Sequence, residues 1–71
     1  MTHATRKNVG QRVRALREES NLTQEQLALM TGVGRASLAK GEAGNRNATI
    51  DFMEKVALGL GVTLGQLFEG L

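Results

Sequence analysis

The chain has 71 residues, a net charge of +2 and no cysteine, so we expect one domain without a disulfide framework or a zinc finger. The single histidine, His3, has no neighbouring ligands, and no pair of acids lies on a predicted buried stripe, so we expect no metal, no cofactor and no enzymatic activity. No apolar run approaches the roughly 20 residues that span a bilayer, and no signal peptide follows Met1. We therefore expect a cytoplasmic protein with no membrane partner.

Charge is segregated along the chain. Residues 1–17 carry five arginines and lysines and no acid, whereas residues 18–34 carry three glutamates and no base. Residues 35–50 are basic again and residues 51–71 are acidic. If the two basic segments share a face, that face attracts phosphate. The alternative is a set of ordinary solvated helix faces, which charge segregation alone favours.

The first predicted helix covers residues 8–20, where Val9, Val13 and Leu16 recur at helical spacing between arginines. Residues 1–7 precede it, and we expect them to form a mobile basic tail. Residues 8–71 then form the single domain.

Two short helices joined by a glycine turn come next. Thr23 is a good N-cap and Gln26, three residues later, completes a capping box, so the second helix starts here and ends at Gly32. Gly34 allows a sharp turn into a third helix over about residues 35–41. The buried side of the second helix is expected to consist of Leu27, Ala28 and Met30.

The remaining chain predicts two more helices. Gly41 and Gly44 lead into a polar loop, after which Thr49 caps a fourth helix that ends at Gly61. The apolar stripe of the fourth helix is predicted to be Ile50, Met53, Ala57 and Leu60. Thr63 caps a last short helix. Since no segment alternates with period two and there is no proline, the fold class is all-α, with five helices and one core.

Several short motifs occur in an order and at spacings that together are specific, although none is diagnostic alone. They are Leu16-Arg17-Glu18, Leu22-Thr23-Gln24, Leu27-Ala28, Gly32-Val33, Glu42 with Gly44, Arg46-Asn47, Ala57 and Leu60-Gly61-Val62-Thr63-Leu64. Over residues 9–68 the chain thus resembles the Cro and lambda-repressor type of helix-turn-helix protein, the XRE-like family. The resemblance implies a compact five-helix, lambda-repressor-like DNA-binding domain in which helices two and three form the helix-turn-helix.

The chain departs from the family pattern at two positions. Gly41 stands where the family has a large apolar residue, so the end of the third helix loses a packing anchor and gains a flexible residue. Ala48 stands where the family has proline, so the loop before the fourth helix is less rigid.

The resemblance places Arg35, Ala36 and Lys40 against DNA bases. Arginine can pair bidentately with guanine O6 and N7, and the Ala36 methyl can meet thymine. The alternative is that both charged side chains only solvate the surface.

Five further residues are expected to contact DNA phosphates. They are Gln24, Ser37, Asn45, Arg46 and Asn47. Gln24 lies at the amino end of a helix, where backbone N–H groups favour an anion. The alternatives are a simple surface glutamine, a local cap by Ser37 and an ordinary polar loop.

Two other groups have structural roles in this interpretation. By resemblance, Arg17 and Glu42 form a partly buried ion pair that joins the first helix to the end of the third. Leu64, Phe68 and Leu71 are expected to form a homodimer interface, because so small a core does not need them. Phe52 and Leu58 also lie off the predicted stripe. The alternative is that these apolar residues complete the core of a monomer.

The leading hypothesis is a transcriptional regulator that binds double-stranded DNA sequence-specifically, as a dimeric repressor on a near-palindromic operator. It covers a phage repressor, a controller of a restriction system and an autoregulating antitoxin. The alternative is an antitoxin or another protein-interaction module of the same fold that acts through a toxin or other protein partner. Gly41 and the low net charge favour the alternative slightly, whereas Arg35, Lys40 and Arg46 oppose it.

Overall fold

The computed structural model describes residues 2–71, which form five α-helices. These are α1 (His3–Glu19), α2 (Gln24–Thr31), α3 (Arg35–Glu42), α4 (Ile50–Leu60) and α5 (Leu64–Leu67). The predicted all-α fold class is confirmed. None of the helices within residues 2–71 combines the length and the hydrophobicity that a membrane span requires.

Helix α1 begins well before the predicted start at residue 8. The Thr2 hydroxyl accepts a hydrogen bond from the Thr5 backbone N–H at 3.1 Å and caps the helix at His3. Residues 3–7, which we assigned to a tail, are therefore helical. The cap lies in a polar stretch without apolar periodicity, so the pattern gave no sign of it. Met1, the first residue of that predicted tail, lies outside the described residues.

Threonine caps begin α2, α4 and α5, and glycine stops end α2 and α4, as predicted. The capping box between Thr23 and Gln26 is confirmed, and a second one joins Thr63 to Gln66. Gly32 and Gly61 end α2 and α4 with positive φ angles of 73° and 71°, which glycine adopts without strain. The element boundaries thus follow from hydrogen bonds between close neighbours in sequence.

The core corrects two predictions about inward faces. Met30 is 58% exposed, so it does not belong to the buried side of α2. Ile50, the first residue of α4, is 63% exposed, whereas Phe52 and Val56 are buried. The inward face of α4 is therefore rotated from the predicted stripe, because the first residue of the helix lies outside its packed part. The buried apolar residues are Val9, Val13, Leu27, Ala28, Leu38, Ala48, Phe52, Met53, Val56, Ala57 and Leu67.

Two glycines allow the helices to approach closely. A Cβ atom on Gly10 of α1 would lie 2.4 Å from the carbonyl oxygen of Gly41 and 2.5 Å from that of Glu42. A Cβ atom on Gly59 of α4 would lie 2.4 Å from the Thr31 methyl at the end of α2. Helix α1 therefore packs directly on the backbone of α3, and α4 packs closely on α2. These contacts hold the α2–α3 pair on a frame of α1 and α4.

Candidate nucleic-acid interface

A buried ion pair fixes the end of α3 against α1. Arg17 Nε donates to Glu42 Oε2 at 2.7 Å and Arg17 Nη2 donates to Glu42 Oε1 at 3.0 Å. Arg17 Nη1 also donates to the Leu22 carbonyl oxygen at 2.7 Å. The two charged side chains are only 11% and 3% exposed. The hydrogen bond to Glu42 raises the pKa of Arg17, although burial opposes the shift. Arg17 therefore connects α1 to the α1–α2 loop and to the end of α3.

Gln24 joins the same network. Its side-chain Nε2 donates to Glu42 Oε1 at 3.1 Å, which ties the first residue of α2 to the last residue of α3. One amide N–H is thus used inside the protein, and the other is left for an external acceptor. The phosphate contact of Gln24 stays a prediction, now with a defined side-chain orientation.

The turn between α2 and α3 is closed by local hydrogen bonds. The Gly32 N–H donates to the Ala28 carbonyl at 3.0 Å, and the Val33 N–H donates to the Thr31 hydroxyl at 3.2 Å. Val33 packs against the core, and Gly34 is the N-cap of α3. The turn therefore fixes the direction in which α3 leaves α2.

Helix α3 presents the three residues that were predicted to contact bases. Arg35, Ala36 and Lys40 are all exposed. In an α-helix, positions 35 and 40 are about 7.5 Å apart along the axis. Among residues 2–71, the ion pairs involve neither Arg35 nor Lys40, so both charges remain available to a ligand. Ser37 is half-buried and lies beside the amino end of α4.

The three predicted phosphate ligands in the loop after α3 differ in how exposed they are. Asn45 and Asn47 are exposed, whereas Arg46 is half-buried. The Arg46 guanidinium carbon lies 4.4 Å from the centre of the Phe52 ring, and its Nε donates to the Asn47 carbonyl at 3.2 Å. Arg46 also lines a cleft of about 190 Å³ together with Ser37 and Lys55. Two basic side chains, those of Arg46 and Lys55, therefore lie close to the amino end of α4. Lys55 is paired with Asp51 at 3.3 Å.

Gly41 does not disrupt the end of α3. The helix continues through it to Glu42, one residue beyond the predicted end. The space beside Gly41 is filled by Phe52, whose ring atom Cζ would lie 2.7 Å from a Cβ added at position 41. The aromatic ring from α4 thus supplies the bulk that residue 41 lacks. This packing is not apparent from the sequence, in which Phe52 lies off the predicted apolar stripe of the fourth helix.

Arg12 and two of the predicted dimer residues contact other parts of the same chain. Arg12 Nη2 and Nε donate to the carbonyl oxygens of Gln66 and Leu67 at 2.9 and 3.2 Å, so this arginine ties α1 to α5. Of the predicted dimer residues, Leu64 and Phe68 pack partly against the core, and Leu71 is 58% exposed. Leu58 is also exposed, at 76%. The apolar surface near the carboxyl end is therefore smaller than the sequence indicated.

Comparison with known proteins gives matches over nearly the whole chain. A family model described as helix-turn-helix matches residues 13–67. The control protein C.BamHI of Bacillus amyloliquefaciens is 40% identical over 70 residues, which are 97% of this chain and 86% of that protein. The immunity repressor of Bacillus phage phi105 is 39% identical over 59 residues, but these are only 41% of its length.

A solved structure also matches. The restriction-modification controller protein C.AhdI from Aeromonas hydrophila superposes with a TM-score of 0.89 and 35% sequence identity, covering 92% of this chain and 98% of that chain. The five helices and their connections are therefore shared nearly end to end.

Proposed function

The chain belongs to the XRE-like helix-turn-helix family of DNA-binding transcriptional regulators, and from that premise we propose that it is the controller of a restriction-modification system. The observation that carries this proposal is the end-to-end likeness to C.AhdI, which leaves almost no part of either chain unmatched. The likeness to C.BamHI at 40% identity supports it. A regulator of this kind works on DNA, so a cytoplasmic location is part of the proposal.

In this proposal α3 lies in the major groove. Arg35, Ala36 and Lys40 contact base edges, since they are exposed on one helix that is held at both ends. The phosphate ligands are the five residues around that helix: Gln24, Ser37, Asn45, Arg46 and Asn47. Two copies of the chain bind a near-palindrome, with recognition helices about 34 Å apart. Leu64, Phe68 and Leu71 contribute to the contact between the copies.

The division between base and phosphate contacts can be tested with two arginines. We would measure fluorescence anisotropy with the DNA upstream of the protein's own gene and with a scrambled duplex, at about 50 and 150 mM salt. Arg35→Ala should weaken binding to the best site by roughly 1–3 kcal/mol and relax preference at one position. Arg46→Ala should weaken binding to both duplexes by a similar factor, and it should reduce the slope of log affinity against log salt concentration by about one. Each variant is the control for the other, because both remove one positive charge.

Equal effects of the two substitutions would contradict this division of roles. If the unaltered protein binds both duplexes equally and loses both at the higher salt concentration, the proposal of a sequence-specific regulator fails. That result would favour the alternative, a module that acts through a toxin or another protein partner, and a pull-down would then look for the partner. Sedimentation of the unaltered protein and of Leu71→Asp tests the dimer, which the substitution should weaken.

A further inference from the structure

The ring of Phe52 connects the core to two parts of the proposed DNA surface, helix α3 and the loop that carries Arg46. Phe52 is buried, at 5% exposure, and the tip of its ring abuts Gly41 of α3. Its face lies under the guanidinium of Arg46 at 4.4 Å. The Phe52 backbone N–H donates to the Thr49 hydroxyl at 3.1 Å, so the N-cap of α4 fixes the residue that carries the ring. The ring therefore has a defined position relative to the loop after α3.

We propose that Phe52 is a positioning residue for DNA binding, which holds the Arg46 guanidinium ready for a phosphate through a cation–π stack. This inference rests on the proposed function, because it assigns a physical cause to the orientation of one of its phosphate ligands. Arg46 lies in the segment between α3 and α4. Without a partner for its guanidinium, its long side chain would lose many rotamers on binding. The stack and the hydrogen bond to Asn47 remove much of that freedom beforehand.

Gly41 is the second requirement of this arrangement. A Cβ atom at position 41 would lie 2.7 Å from Cζ and 3.2 Å from Cε1 of Phe52. Because the ring is buried in the core, it cannot move aside as a flexible surface chain would. Any larger residue at position 41 would therefore shift the ring away from its place beneath Arg46. The glycine and the aromatic residue function together.

A double-mutant cycle tests whether Phe52 acts through Arg46. We would measure the affinity of Phe52→Leu, Arg46→Ala and the double variant for the operator and for a scrambled duplex. Phe52→Leu should weaken binding to both by about twofold to fivefold, the range that a partly exposed cation–π contact provides. In the Arg46→Ala background the same substitution should change affinity no further. Additive losses would overturn the inference.

A surface variant covers the case in which Phe52→Leu fails to fold. Arg46→Lys keeps the positive charge and leaves the core untouched, but it loses the planar group that stacks on the ring. It should also bind both duplexes about twofold to fivefold more weakly. Affinity equal to that of the unaltered protein would overturn the inference.

The stack itself is visible without DNA. In the NMR spectrum of the free, unaltered protein, the Arg46 side-chain protons should be shifted upfield by the ring current of Phe52, and they should lose that shift in Phe52→Leu. The variant Gly41→Ala/Phe52→Leu regains some packing volume but no ring, so it should fold better than Phe52→Leu and still lack the shift. Ordinary Arg46 shifts in the unaltered protein would overturn the inference while leaving the proposed function intact. Failure of the unaltered protein to bind the operator would overturn both.

Discussion

The substitution Arg17→Ala should remove a large part of the stability of this domain. It deletes the two hydrogen bonds to Glu42, of 2.7 and 3.0 Å, and the 2.7 Å bond to the Leu22 carbonyl. The Glu42 side chain, only 3% exposed, would keep one hydrogen bond, from Gln24. A buried carboxylate without its cation is the costly product of this change.

The size of the effect follows from that burial. Breaking a buried ion pair by removing one partner costs about 3–5 kcal/mol. A domain of this length has a total stability of about 4–11 kcal/mol, at 0.05–0.15 kcal/mol per residue. Because 1 kcal/mol shifts the Tm of so small a domain by about 4–8 °C, the Tm should fall by at least about 12 °C.

Arg14→Ala is the matched control. Arg14 lies on the same helix and pairs with Glu18 at 3.5 Å, but the two side chains are 63% and 57% exposed. An exposed i,i+4 pair contributes about 0.3–0.5 kcal/mol, so the Tm of Arg14→Ala should fall by about 4 °C at most. Thermal and urea unfolding followed by circular dichroism measures both variants. If Arg17→Ala melts within a few degrees of Arg14→Ala, the ion pair does not have the stabilising role assigned to it.

Three further predictions follow from the contacts of α1. Gly10→Ala should destabilise the fold by about 1–3 kcal/mol or more, despite alanine's higher helix propensity, because its Cβ would lie 2.4 Å from a backbone carbonyl oxygen of α3. Gly65→Ala is the control: its Cβ would lie 3.8 Å from its nearest neighbour, so it should not destabilise the fold in the same urea titration. Arg12→Ala should cost about 1–2 kcal/mol through its two bonds to α5 and leave the salt slope of DNA binding unchanged, and a reduced slope would show that Arg12 contacts phosphate. The hydrogen bond to Glu42 raises the pKa of Arg17, so the stabilisation by Arg17 is fully present below the ordinary pKa of arginine and is lost only as the pH rises through the raised pKa. The difference in unfolding free energy between Arg17→Ala and the unaltered protein should therefore be constant from about pH 7 to 10, and a steady decline would refute this linkage.

Much of the secondary structure was predictable from the sequence because its signals are local. The capping box of Thr23 and the glycine stop at Gly32 involve atoms within a few residues of each other, so the local sequence is enough to place the ends of α2. The start of α1 shows the limit of this reasoning. A single hydroxyl, on Thr2, extends the helix through residues that carry no apolar pattern.

The candidate site was only partly predictable. The exposure of Arg35 and Lys40 agrees with a recognition helix identified by resemblance, although no sequence signal indicates what Arg46 packs against. A glycine inside a helical pattern, as at Gly10, is a signal of close backbone approach that could have been used. It would have predicted contact with another helix, but not with which one.

The number of helices, most of their ends and the family of the fold were therefore predictable from the sequence. Three contacts depend instead on how the helices pack: Phe52 faces inward beside Gly41, Gln24 donates to Glu42, 18 residues away, and Arg12 donates to carbonyl oxygens 54 and 55 residues away. The physical reason is that a cap is satisfied by its own neighbours along the chain. A long polar side chain or an aromatic ring can instead meet many partners, and only the packing of the helices determines which of them lies within reach.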